Sequence, residues 1–321
     1  MTIDGTATRP GALNTRRPGP RGRAVTRSRA DRRFALAAMS PAWIFIGGLI
    51  AYPLVRVLID AFSNANLVNP AVSGFAGLGN FATVTADPHF GGAVQHTLVW
   101  TAGSVVGEYA IGLGSALLLN RPMRGQGVFR MMTFIPWLVP IIVAGLTWGW
   151  MLNPDFGIVN RVLVDIGAVD TPINFLGDPD WAMPTCIFVN IWRSFPYYTI
   201  SFLAALQAIP TDLYEAAAID GASAPRRFAS VTFPHLRSVS LIIVFIHIVW
   251  TAVNFDFIWV MTEGGPNYAT NTLPIMIYRY SMKQFDVGAA SALSTMMLIG
   301  TTLVFVVYYR YRRKLSEEIV G

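Results

Sequence analysis

Three ionisable side chains stand in runs that are otherwise apolar: Glu108 in GSVVGEYAIGL, Arg193 in VNIWRSFPYY and Asp256 in WTAVNFDFIW. A charge in such a setting is costly, faces protein or water, and marks a functional candidate. Two of the runs also combine amides and aromatic rings. Asn190, Arg193 and Tyr197 follow i, i+3, i+7 spacing and share one helical face; Trp250, Asn254 and, more loosely, Phe257 share another. Pro196 can kink its helix and free a carbonyl near the first face. Polar groups for hydroxyls beside rings for C–H surfaces suit a polyhydroxylated ligand. Asn190, Arg193, Tyr197, Asn254 and Asp256 are therefore the expected lining of a polar pathway. The competing reading is that Glu108, Arg193 and Asp256 pair with one another and tie helices together.

The elements that carry these residues belong in a bilayer. Of 321 residues, 53% are hydrophobic and 13% are charged, against about 25% charged in an average soluble domain. Phe34 to Val55, Met131 to Pro154 and Val287 to Tyr309 contain no charge, and each can cross the roughly 20-residue bilayer core. An all-α membrane protein with six transmembrane helices is expected, at about 34–60, 92–119, 130–153, 181–206, 238–262 and 287–309. The first run follows an arginine-rich tail, but it is long for a signal peptide and no persuasive cleavage site follows it. Residues 1–33 read as a disordered basic tail, 34–314 as the membrane domain and 315–321 as a C-terminal tail.

Basic residues fix the orientation. The N-terminal tail, Arg121, Arg124 and Arg130, then Arg226, Arg227 and Arg237, then Arg310, Arg312, Arg313 and Lys314 fall on one side. The alternate loops hold Arg161, Arg279 and Lys283, with Arg56 near the far end of the first helix. By the positive-inside rule both termini are cytoplasmic. The formal charge of +6 is thus an orientation signal, and nucleic acid is not an expected partner. The tail can also touch anionic lipid heads.

Several chemistries lack their residues. No G-x-x-x-x-G-K-[ST] loop is present, and Lys283 and Lys314 are the only lysines. His89, His96, His235 and His247 are scattered, and Cys186 is a single thiol inside an apolar run, read as a small core hydrophobe. The chain is not expected to be an enzyme.

The remaining motif is PTDLYEAAAIDGASAPRRFASVTFPHL, in a predicted cytoplasmic loop spanning 210–234. Asp212 with Glu215 three residues later has capping-box spacing. Gly221 can end the helix in a left-handed conformation, Ser223 can cap a second one with Pro225 in its first turn, and Pro234 prevents simple continuation. Two short helices with a sharp bend are expected, with a shallow alanine surface that another protein can approach.

This loop resembles the EAA signature of binding-protein-dependent ABC importer permeases: E-A-A, three residues, G, nine residues, I-x-L-P. Here Glu215-Ala216-Ala217, Gly221 and Val231-Thr232-Phe233-Pro234 match, with Val and Phe replacing Ile and Leu. The likeness runs from about Ser40 to Lys314. SPAWIFIGGLIAYPLVRVLIDAF, GLGNF, FRMMTFIPWLVP, NPDFGIVN and NFDFIWVMTEGGPNYATNTLP are similar to segments of the carbohydrate-uptake permeases related to the maltose and glycerol-3-phosphate systems.

That resemblance implies a type I ABC importer permease fold in a bacterial cytoplasmic membrane. It implies that Glu215, Ala216, Ala217, Gly221 and Pro234 form a coupling element docked on an ATPase. ATP and magnesium would be bound by the partner ATPase subunits and no cofactor by this chain. The implied partners are an ABC subunit dimer, a second homologous permease, an extracytoplasmic sugar-binding protein and the lipid bilayer. The outer segment with Asn160, Arg161, Val162 and Val164 in a short surface helix is a candidate face for the binding protein, or lies on the membrane. A stand-alone secondary transporter or channel is the alternative, and a non-transporting scaffold is a third reading.

Overall fold

The computed structural model describes residues 29–69 and 74–320. The expectation for the N-terminal tail lies outside them, except that the first helix already begins at Arg29. Among the described residues the secondary structure is helical, without a strand. One compact unit ends at Pro53 and carries α1 (Arg29–Ile46) and a π-helical turn (Gly47–Ala51). At its end starts α2 (Tyr52–Asp60). Over Leu36–Asp60 the chain is apolar and long enough to span a bilayer, and none of its most apolar window is buried.

The second unit, from Leu54 onward, holds the rest. Its first half comprises α3 (Gly79–Ala86), α4 (Phe90–Leu119), α5 (Gln126–Leu138), α6 (Ile141–Met151), α7 (Ile158–Asp165) and α8 (Pro179–Gln207). Its second half comprises α9 (Thr211–Ile219), α10 (Ala224–Arg227), α11 (Phe233–Ala252), α12 (Asp256–Thr262), α13 (Leu273–Tyr278) and α14 (Val287–Val320).

Four stretches among the described residues are long and apolar enough to cross a membrane: Leu36–Asp60, Phe90–Leu119, Ala224–Ala252 and Val287–Lys314. The bent pair α5 and α6 makes a fifth if it counts as one span. The expected straight helix over 130–153 is instead turned by 95° between Leu138 and Ile141. Val139 is extended (φ −73°, ψ 126°) because the ring of Pro140 excludes the helical conformation from the residue before it. The expected fourth span is α8. At 29 residues it reaches about 44 Å at ~1.5 Å per residue, but Asn190, Arg193 and its flanking polar residues make it less apolar than the others. It runs through Pro184 and Pro196 without a break. The expected fifth helix over 238–262 ends at Ala252 and restarts at Asp256.

The most extensive interface joins α4 to α8. On α4 the buried residues Thr97, Trp100, Thr101, Ser104, Val105, Glu108, Gly112 and Ala116 recur at three- and four-residue steps and form one face. Three glycines bring the two backbones together. A methyl group on Gly103 or Gly107 would run into Ile187 or Ile191, and one on Gly112 would overlap Tyr198 and lie 3.1 Å from the Phe195 carbonyl. Small residues at such a seam let helices associate closely in lipid. The neighbouring Gly114 faces open space.

Asn160 departs from its expected surface position. It is 2% exposed, and its amide nitrogen donates to the carbonyls of Leu152, Asn153 and Ile173 while its oxygen accepts from the Ile173 N–H. It ties the loop between α7 and α8 to the end of α6. Trp148 of α6 packs edge-on against Phe188 and Trp192 of α8.

The seam yields a contrast. Gly112→Ala lowers the melting temperature of the purified protein in detergent by the equivalent of about 1–3 kcal/mol of overpacking, whereas Gly114→Ala does not lower it. Thermal unfolding followed by circular dichroism separates the two.

Candidate functional site

The residues singled out by type and spacing fall into two constellations in the second unit, one inside the bundle and one at its end.

Inside, Glu108 lies at the junction of α4, α8 and α11 with no exposed surface. Asn190 of α8 donates to its Oε1 at 3.1 Å, and Nδ1 of His247 on α11 donates to its Oε2 at 2.8 Å. A carboxylate only accepts, so the proton of a neutral His247 is placed on Nδ1. Asn190 and His247 are buried in turn, 6% and 5% exposed. The rings of Tyr197 and Tyr198 lie 4.9 and 4.5 Å from the His247 ring, and Trp250 lies beyond at 5.7 Å with an outward, 57% exposed side chain. Arg193 is half-buried on the same stretch of α8, and its Nε has no hydrogen-bond partner. Nε2 of His247 and the Tyr198 hydroxyl are likewise unpartnered.

Three of the five expected pathway residues, Asn190, Arg193 and Tyr197, thus come together around Glu108. The other two do not. The chain breaks at Val253–Phe255, where the Asn254 side chain accepts the Phe257 N–H at 3.1 Å and starts α12. Asp256 then stands exposed in the first turn of α12, where its charge meets the positive end of a helix. Both are occupied with the break rather than with the cluster. His247 is the member that sequence reasoning missed. Its signal was its solitary place in SLIIVFIHIVW, the criterion that marked Glu108. Among the described residues no three His, Cys, Asp or Glu side chains gather into a metal site.

At the end of the bundle, α9 stops at a left-handed Gly221 (φ +74°). The Ala222 N–H bonds to the Ala217 carbonyl at 2.9 Å and the Gly221 N–H to the Ala218 carbonyl at 3.0 Å, the paired bonds of a Schellman stop. The helix begins two residues earlier than the capping-box reading required: its cap is Pro210, and Asp212 lies within the first turn. Ser223 occupies the cap of α10 without a side-chain bond. Pro234 does not stop the chain. The backbone widens into a π-helical turn over Phe228–Thr232 and continues into α11. The Phe233 N–H reaches back to the Phe228 carbonyl, so the wider turn absorbs the donor that Pro234 lacks.

Glu215, Ala216, Gly221 and Pro234 are exposed, while Ala217 is half-buried and packs on the core. Ile219 was not singled out, yet it is 87% exposed at the last turn of α9. Tyr214 bonds Thr232 at 3.0 Å across the bend. Val231 enters the same core as Tyr198, Phe202 and Leu206 of α8 and Ala116 of α4. An exposed surface of small residues around one isoleucine is therefore seated on the helices that hold Glu108.

The family model described as "Binding-protein-dependent transport system inner membrane component" matches residues 109–317. The sulfoquinovosyl glycerol transport system permease protein SmoG of Agrobacterium fabrum is 33% identical, covering 88% of this chain and 91% of its own. The trehalose/maltose transport system permease protein MalF of Thermococcus litoralis is 36% identical, over 74% and 81%. Among solved structures, a chain of a bacterial ABC transporter involved in the import of the acidic polysaccharide alginate superposes with a TM-score of 0.78 at 22% identity, covering 88% of this chain and 96% of that one.

Removing one partner from the interior cluster leaves a buried polar group short of a hydrogen bond, which costs about 1–3 kcal/mol. Glu108→Ala and His247→Ala each destabilise the detergent-solubilised protein. The double variant Glu108→Ala/His247→Ala is less destabilised than the two single effects added together. Additive losses in chemical denaturation would show that the two side chains are not coupled.

Proposed function

Because the chain belongs to the family of binding-protein-dependent transport system inner membrane components, we propose that it forms half of the pathway of an ABC importer for a sugar or sugar derivative. The observation that carries the coupling is the loop geometry: Glu215, Ala216, Ile219 and Gly221 exposed on a bent unit whose Val231 enters the core of α4, α8 and α11. A surface of that kind is built to receive another protein. The partner is a dimer of ATP-hydrolysing subunits, which bind ATP and magnesium; their closure pushes on α9 and re-orients the helices packed behind it.

The chain spans the cytoplasmic membrane of a bacterium six times, with α8 as the polar span and both termini inside. A second homologous permease supplies the other half of the pathway, and an extracytoplasmic binding protein delivers the substrate. Names of the relatives support a carbohydrate substrate, SmoG serving sulfoquinovosyl glycerol and MalF trehalose and maltose. The amide, guanidinium and aromatic groups of Asn190, Arg193, Tyr197 and Trp250 supply the contacts hydroxyl-rich rings need. Asn254 and Asp256 act at the break between α11 and α12, setting its geometry.

Affinity purification of the tagged chain from mild detergent, with mass spectrometry of what accompanies it, tests the assembly. Recovery of an ATPase and a second permease supports it. A lone chain that transports in vesicles without ATP would establish a secondary transporter instead. Gly221→Leu, Glu215→Lys and Ile219→Asp each reduce ATP-dependent uptake at least about tenfold, a loss of the size expected when interface anchors are disrupted, with the protein still inserted in the membrane. Arg193→Ala lowers uptake more than Arg161→Ala, whose exposed guanidinium only approaches Asp165 at 4.0 Å. Equal, small effects would remove Arg193 from the pathway.

A further inference from the structure

At the opposite end of α4 from the coupling loop lies a second concave site that the importer reading does not use. Its volume is about 350 Å³, within the range of small-molecule sites, ~300–1,000 Å³. It is walled by the turn before α4 (Asp87, His89), Trp259 of α12, the loop 263–272 that begins with Glu263, and the turn after α13 (Arg279, Tyr280, Lys283).

The loop is held in an uncommon shape. Glu263, Asn267 and Tyr268 have φ of 52°, 45° and 63°, a region that non-glycine residues rarely occupy and that persists where the surroundings over-determine it, often at ligand clamps. The Thr262 and Thr270 hydroxyls bond at 2.7 Å, and Thr270 donates to the Gly265 carbonyl. Tyr268 stacks on His89 at 3.6 Å and carries the Arg279 guanidinium 4.6 Å from its ring. Arg279 also donates to the Glu263 carbonyl at 3.1 Å.

The groups left over define the ligand. Asp87 is satisfied, since one oxygen accepts the His89 N–H and the other the Tyr280 hydroxyl. Burial, together with that bond, raises the Tyr280 phenol above its ordinary range and keeps it a donor. The Glu263 carboxylate, the Lys283 ammonium and the Gln284 amide line the pocket on exposed side chains. Asn271 is 1% exposed, and its Oδ1 has no partner. Asp87 and Glu263 oppose Arg279 and Lys283, so the acidic and basic side chains balance. A mixed rim of donors and acceptors without net charge suits hydroxyl groups, which do both, over an anion or a cation. Trp259 and Tyr280 add aromatic wall.

We infer that this pocket is an outer subsite for a neutral sugar ring, separate from the interior cluster, where substrate pauses before entering the helices. The inference rests on the importer reading for its place outside the membrane and for the substrate class. The rim makes two demands: both Glu263 and Lys283 are needed, and a charged sugar is disfavoured.

The test uses the full chain assembled with its partners in lipid nanodiscs, and glucose, maltose, trehalose and glucuronate as probes in saturation-transfer NMR and calorimetry. ATP-driven uptake of the same sugars into proteoliposomes is measured in parallel. The expected result is weak binding of a neutral sugar that falls at least about tenfold in Glu263→Gln and in Lys283→Ala, the loss of one hydrogen bond to a charged group, and survives Arg193→Ala. Relative to the neutral sugars, Glu263→Gln also gains affinity for glucuronate. Both substitutions are on exposed side chains and leave the fold intact. Binding that is indifferent to Glu263 and Lys283, or that prefers glucuronate in the unmodified chain, overturns the subsite while uptake continues to support the importer. Absence of both binding and uptake for every probe overturns the subsite together with the sugar reading on which it rests.

Discussion

A carboxylate with no exposed surface must be answered by donors, and in this protein the answer comes from two other helices. Glu108 on α4 receives one hydrogen bond from Asn190 on α8 and one from His247 on α11. In a low-dielectric interior the cost of leaving such a group unpaired is large, so the relative heights and rotations of three helices are pinned by it. Replacing the group by a hydrocarbon would often cost little. Keeping it here ties a polar network to the aromatic surface of Tyr197, Tyr198 and Trp250.

The same three helices receive the end-loop. Val231, in the π-helical turn, shares a core with Tyr198, and Tyr198 touches His247. The bent unit over 211–234 and the buried network are thus joined by contiguous packing with no mobile linker between them. The glycine seam makes α4 and α8 a close pair. Motion is more easily accommodated at the interruptions: the 95° turn at Val139–Pro140, the gap at Val253–Phe255 and the wide turn at Phe228–Thr232.

Much of this was legible in the residues. The motif spacing located the bent unit, and Gly221 adopts the left-handed conformation its place suggested. Glu108, Asn190 and Arg193 stood out because charge and amide are expensive among apolar neighbours. The family expectation, a carbohydrate-type importer permease, agrees with the relatives found. Other features depend on tertiary contacts that periodicity does not encode. Asn160 looked like a surface residue because its partners, Leu152 and Ile173, are loop carbonyls without a sequence signature. The break before Asp256 has no proline or glycine to announce it. The turn at Pro140 did have one, in FIPWLVP, but an apolar run of sufficient length masked it. Pro234 was read as a stop, whereas a single extra residue in the helical turn accommodates its missing donor.

The cluster also bears on how the chain is made. Glu108 leaves the ribosome before either of its donors exists, and α8, which carries one of them, is too polar to enter lipid readily by itself. The α5 and α6 segments, of 13 and 11 residues, are each shorter than the roughly 20 residues a solitary crossing requires. If the segments enter the bilayer in the order of synthesis, Glu108 stays without its donors until Asn190 and then His247 emerge. Burying an unanswered charge in the interim is costly, which makes the order of synthesis part of how the interior charge is accommodated.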